Sequence, residues 1–184
     1  MTSYQVFHSD HEVIGQTVLD LQNAVGGETI YPIYQKHGLG EVDPAGWYPM
    51  QKMLDALKEL GQQGGTMFDL ISVGMKTVEN LVMPPEAAFL SLVQLFQLSL
   101  NVYHLNSRGS NIGGAKCEVV SDRYVKMHYT TPLPDDFLYG IVYGYAKHFL
   151  PRGSHVVAFY DPDIPRRDEG GDTTIIHAKW EIER

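Results

Sequence analysis

Residues 124–145 read YVKMHYTTPLPDDFLYGIVYGY, and the hydrophobic period changes in the middle of that run. From Tyr124 to Tyr129 apolar and polar residues alternate. Val125, Met127 and Tyr129 fall on one side, Lys126 and His128 on the other, which is the pattern of a half-buried strand. Pro132 and Pro134 end it. Asp135 is a residue type that caps helices, and it predicts a helix from about Asp136 to Phe149, closed by Pro151–Arg152–Gly153. Backwards, Cys117–Val120 and a turn at Ser121–Asp122–Arg123 complete a hairpin with Tyr124–Tyr129. Forwards, Val156–Tyr160 reads as a short apolar strand and Asp161–Asp172 as a charged loop. Thr173–Glu183 reads as a last strand with Thr174, Ile176, Ala178, Trp180 and Ile182 on one face.

The N-terminal half has the helical period instead. Val13–Val25 places Ile14, Val18, Leu21 and Val25 on one face and stops at Gly26–Gly27. Glu28–Lys36 is a short helix containing Pro32. Met50–Leu60, after Trp47–Tyr48–Pro49, is the clearest amphipathic segment. Phe68–Val82 follows, ended by Pro84–Pro85. Glu86–Asn106 is the longest helix; it is apolar nearly all round and so is expected to run through the middle of the domain, spanning about 30 Å. The order predicts an α+β fold, with a helical N-terminal half packed on a C-terminal antiparallel sheet with an inserted helix.

The chain's 184 residues suit one domain, expected to span residues 1–184. Hydrophobic residues make up 43% and charged residues 20%, so the composition is that of a folded protein rather than a disordered one. A formal net charge of −8 opposes nonspecific binding to nucleic acid. The pair Arg166–Arg167 is the one local basic patch. Cys117 stands alone, which excludes internal disulfides and multi-cysteine zinc sites and points to a reducing, cytoplasmic setting. Ala87–Leu105 is apolar enough to raise the question of a membrane span. Its Gln94, Gln97, Ser99, Asn101 and His104, with no basic flank, argue for a buried helix.

No catalytic signature is present, neither GxSxG, P-loop, HExxH nor a GxGxxG opening a helix. No enzyme is expected, because no nucleophile stands with a base at dependable spacing. Among eight histidines, His8, His11, His37, His128, His148, His155 and His177 lack partners at metal-ligand spacing and are read as surface residues. His104 differs. It ends the most apolar helix, beside Tyr103 and before Arg108. It reads either as a hydrogen-bonded residue near a helix end or as a ligand-contacting one. Tyr139, Tyr143 and Tyr145 share a helix with Gly140 and Gly144, whose spacing lets another backbone approach closely. That face suits packing within the fold, or dimerisation.

Several segments together carry a resemblance. They are Val13–Ile14–Gly15, Trp47–Tyr48–Pro49, Ser72–Val73–Gly74, His128–Tyr129, Thr131–Pro132–Leu133–Pro134–Asp135–Asp136–Phe137 with Tyr139–Gly140, and Asp168–Trp180. In order and spacing the chain resembles the superfamily of heme nitric-oxide-binding (H-NOX) domains, 4-vinyl-reductase-type sensor domains and the lipid-binding subunits of the Golgi tethering complex TRAPP. The resemblance implies a ligand cavity between helices and sheet, and a sensory role. It leaves heme open as cofactor. The family's Tyr-x-Ser-x-Arg motif for heme propionates corresponds to Tyr129–Thr130–Thr131–Pro132–Leu133. The tyrosine is kept, threonine replaces serine, and the arginine is missing, so the propionates lose their bidentate partner. His104 falls beside the expected proximal position.

The first expectation is thus a non-catalytic sensor binding a hydrophobic small molecule and signalling to a partner protein. Phe96, Leu100, Tyr103, Met127 and Tyr129 would wall its pocket, and His104 and Arg108 would orient the ligand. The alternatives are a heme-binding NO or O2 sensor with His104 as axial ligand, and a structural, homodimeric domain without ligand.

Overall fold

A computed structural model describes residues 4–62, 69–81, 85 and 89–182, and in it the period change at Tyr129 marks a real junction. β4 (Ala115–Ser121) and β5 (Tyr124–Tyr129) form the expected antiparallel hairpin, with Met127 opposite Cys117. After β5 comes α6 (Asp135–Phe149). β6 (His155–Tyr160) and β7 (Thr174–Glu181) complete a four-stranded antiparallel sheet in the order β4-β5-β7-β6. Thr174, Ile176, Ala178 and Trp180 are buried along one face of β7, as their alternation requires. Ile182 lies beyond the strand and is exposed.

The N-terminal half holds α1 (Gly15–Val25), α2 (Gly27–Lys36), α3 (Met50–Gln62) and α4 (Leu70–Glu79). Three strands too short to show a period add a small sheet in the order β2-β1-β3. They are β1 (Glu12–Ile14), β2 (Trp47–Pro49) and β3 (Ser107–Arg108). Val13 and Ile14, expected in the first helix, therefore belong to a strand. Phe68, Val82 and Pro84, expected around the fourth helix, lie outside the described residues, as do residues 86–88 of the fifth.

α5 (Leu92–Asn106) begins where Ser91 and Gln94 form a reciprocal capping box. At 1.5 Å per residue this helix is about 22 Å long. It does not run through the middle of the molecule. Leu92, Leu95 and Phe96 are buried, but Leu105 is 74% exposed and Phe89, before the helix, 90%. Apolar composition without a polar face gave no direction to its buried side, and only its first turns are covered.

The buried residues form two cores. One lies among α1, α2 and α3 with Leu70, Val73 and Phe137. The other lies between the four-stranded sheet, α5 and α6. Leu133 and Ile141 pack against both. The cores are joined by the crossing of α4 and α6, where glycines are required. A Cβ at Gly140 would lie 2.1 Å from the Ile71 carbonyl oxygen, and one at Gly74 would lie 2.3 Å from that of Phe137. The glycine face of α6 thus admits a neighbouring backbone, and that backbone is α4.

Three polar readings are corrected here. Pro134, not Asp135, occupies the cap position of α6. Asp135 is fully buried, and its carboxylate accepts from the Thr174 hydroxyl and the Asp168 amide. His177, expected on a polar face, is buried. Its ring stacks between Tyr124 and Phe159 and bonds to the Tyr124 hydroxyl and Asp161. Arg166 and Arg167 do not form a patch. Arg166 lies over the Tyr160 ring and pairs with Asp136 and Glu169, whereas Arg167 is 1% exposed.

Candidate functional site

Where the two cores meet they leave a cavity of about 190 Å³. Its walls come from both halves. β1 and α1 present Val13, Thr17 and Leu21, and α3 presents Met50 and Met53. Opposite them stand Leu100 and Tyr103 of α5, with Phe137, Ile141 and Tyr145 of α6. Tyr129, at the end of β5, and Thr131 close it on the sheet side. α5 packs against β3, β4 and α6. Val102, 39% exposed, marks where this wall reaches the surface.

The lining is mostly apolar, with a few polar groups. Tyr103 donates its hydroxyl to the Ile112 carbonyl. Burial pushes the phenols of Tyr103 and Tyr129 well above the ordinary tyrosine range, so both remain neutral donors. Thr131 is buried, and its hydroxyl has no hydrogen-bond partner among the described residues; the same holds for the hydroxyl of Thr17. Ser107 is a further buried hydroxyl on the wall. A few polar groups set in apolar surface is the usual make-up of a small-molecule pocket.

Of the seven residues singled out from sequence, the structure brings Leu100, Tyr103 and Tyr129 together on this wall. Phe96 and Met127 lie instead in the sheet core, Phe96 with its ring 5.8 Å from Tyr145 and 6.4 Å from Trp180. His104 is exposed. Its ring meets the edge of Tyr103 and stands beside Gly114, outside the cavity lining. Arg108 is also exposed. It pairs with Glu12 at 2.6 Å, and its guanidinium lies 4.4 Å over the Trp47 ring. Thr17, Met50, Met53 and Phe137 went unnoticed because a cavity wall and a filled core share one hydrophobic pattern. Cys117 is half-buried, and burial pushes its thiol up to about 11, which makes it a poor nucleophile.

No family profile matches the sequence, and no curated protein matches it either. Solved structures do match in shape. One is an H-NOX protein mutant from K. algicida in the Fe(II) unliganded state, with TM-score 0.67 and 13% identity, over 91% of this chain and 96% of that one. Another is an H-NOX protein from S. oneidensis in the Fe(II) ligation state, with TM-score 0.66 and 13% identity over 93% and 97%. A third is an oxygen-binding H-NOX domain related to soluble guanylate cyclases, with TM-score 0.64 and 13% identity over 92% and 96%.

The fold is H-NOX-like. At such identity the likeness is one of architecture, an α+β arrangement shared nearly end to end. Among the described residues no helix is long and apolar enough to cross a membrane.

Proposed function

We propose that residues 1–184 form a single, non-catalytic sensor domain that takes a hydrophobic small molecule into the cavity between the two cores. One observation carries the reading. The cavity lies where α5 faces the N-terminal helices, and α5 buries only three of its fifteen residues, Leu92, Leu95 and Phe96, all near its start. A ligand bridging Leu100 and Tyr103 to α1 and α3 would favour one packing of α5 over another. A partner protein reading the exposed side of α5 would sense that shift. Native mass spectrometry of the purified chain tests this. The expected result is a bound organic mass that Leu100→Trp strips while circular dichroism is unchanged. A mass retained by Leu100→Trp would place the ligand elsewhere and overturn the reading.

The fold itself favours a second reading, a heme-based gas sensor, since the structures it resembles are described by their Fe(II) and oxygen states. The residues present do not fit a heme as they stand. His104 is outside the wall, and Tyr103 takes the inward position. By the sequence resemblance Leu133 takes the place of the motif's arginine, and a leucine cannot pair with propionates. A cavity of about 190 Å³ leaves little room for a macrocycle of heme's size. Hemin titration separates the two readings. A Soret band that His104→Ala abolishes would install heme as the ligand, and a spectrum indifferent to His104→Ala removes His104 as its axial residue.

A further inference from the structure

The polar groups on the cavity wall are one-sided in charge. Among the described residues that line it, Asp20 of α1 carries the only charge, and no lysine, arginine or histidine stands with it. Asp20 is half-buried, and its carboxylate accepts from the Gln16 side-chain amide at 2.8 Å, its one hydrogen-bond partner among the described residues. A neutral amide does not offset the charge of a carboxylate. The cations near the end of α5 are no substitute. Arg108 is taken up by Glu12 and the Trp47 ring, and His104 lies outside the lining.

The wall is one-sided in hydrogen bonding as well. Three of its hydroxyls have committed their protons to backbone carbonyls. Tyr103 donates to Ile112, Ser99 to Phe96 at 2.7 Å, and Thr77 to Val73 at 2.9 Å. What each can still offer a ligand is an oxygen lone pair. Ser99 and Tyr103 lie one turn apart on α5, across the cavity from Asp20 on α1. The wall also carries four aromatic residues, Tyr103, Tyr129, Phe137 and Tyr145, and ring faces attract positive charge. A carboxylate, several acceptors and aromatic surface thus surround an apolar space that holds no cation of its own.

We infer that the ligand of this cavity is an amphiphilic cation, an organic ammonium with its apolar body between α5 and the N-terminal helices and its charged head paired with Asp20. This rests on the small-molecule reading above and names the ligand's chemistry. An ammonium brings N–H donors and no acceptor, the complement of acceptors on the wall. A carboxylate head would instead meet Asp20 as a like charge. Asp20 and Val102 are both partly open to solvent, so a head placed there keeps water on one side and avoids the cost of full burial.

Calorimetric titration of the delipidated chain at pH 7 with octylammonium, octanol and octanoate tests it, since the three share an alkyl tail and differ in charge. The ammonium, like that of lysine, is protonated there. Octylammonium is expected to bind about fivefold tighter than octanol, the upper range for an ion pair open to solvent, and octanoate more weakly than octanol. Asp20→Asn should bring octylammonium to the octanol value and leave octanol unchanged. Leu100→Trp should block both, which places them in the cavity. The order of the three probes in the unmodified chain is decisive even where a variant does not fold. Octylammonium binding no tighter than octanol would overturn the cation site and leave the apolar pocket standing. A preference that survives Asp20→Asn would place the ammonium elsewhere and overturn it as well. Binding of none of the three would remove the pocket reading and this one together.

Discussion

α5 and α6 are both fifteen residues long and similarly apolar, yet they end in opposite situations. α6 buries eight residues and links the two cores. α5 buries three and leaves its C-terminal half facing a cavity and solvent. Average hydrophobicity does not separate them. What does is one face of small residues: Gly140 and Gly144 let α4 come into backbone contact, and α5 has no such face. Close helix packing fixes α6, while α5 is fixed at its start by the sheet core and at its end by strand pairing. A fold that sets a rigid helix beside a lightly held one has a place for a ligand to act.

The largest effect should come from breaking the rigid side. Gly140→Val puts a branched side chain where a Cβ alone would sit 2.1 Å from the Ile71 carbonyl oxygen, and it should cost at least about 3 kcal/mol in urea denaturation. The matched change Asn101→Val, on the exposed side of α5, should stay within about 0.5 kcal/mol. Equal losses at the two sites would show that the helices are held alike.

The next test lies inside α5. Phe96 packs between Tyr145 and Trp180, so Phe96→Ala should cost about 3–5 kcal/mol. Leu105, three-quarters exposed, should cost within about 0.5 kcal/mol on replacement by alanine. A gradient along one helix is the signature of a segment packed through its first turns and held at its far end by strand pairing alone.

Much of this was legible in the sequence, and the limits have physical causes. The hairpin, α6 and β7 follow from periods of two and 3.6 that tertiary packing reinforced. The three-residue strands β1 and β2 were invisible because a period needs more residues than they have. α5 was misplaced because a helix apolar all round does not say which side is covered. Leu100, Tyr103 and Tyr129 were recognisable as wall residues, but the facing Met50 and Met53 lie far away in sequence on a stripe that any core helix shows. Nothing in the run Pro165–Arg166–Arg167–Asp168 distinguishes the surface arginine from the buried one. That depends on Phe7 and Thr174, brought there by the fold.

A third test concerns the strand that tethers α5. Val13 of β1 pairs with Ser107 of β3 just past the helix end. His11 precedes that strand, fully buried, with both ring nitrogens unpartnered among the described residues, and burial lowers its pKa from the ordinary 6.5. The unfolded chain then binds a proton that the folded chain resists. Stability is complete above pH 6.5 and falls as pH drops from there toward the folded value, by at most about 1.4 kcal/mol per pH unit. Urea denaturation between pH 7.5 and 5.5 should show this loss in the parent and a flatter profile in His11→Phe. Parallel profiles would mean that His11 is not the titrating group.

The smallest effect is expected at the surface end of the same tether. Arg108 places two nitrogens on one Glu12 oxygen and lies over Trp47, joining β3 to β1 and β2. Exposed ion pairs and cation–π contacts each contribute about 0.5–1 kcal/mol, so Arg108→Ala should cost roughly 1 kcal/mol at low salt. Salt separates the two parts. At 1 M ionic strength the Debye length shrinks to about 3 Å, and the Glu12 share should vanish while stacking on Trp47 persists. A cost that disappears entirely in salt makes the tether electrostatic, and the end of α5 should then loosen with ionic strength. A cost that stays makes Trp47 the platform on which α5 ends, and the cavity wall keeps its place whatever the solvent.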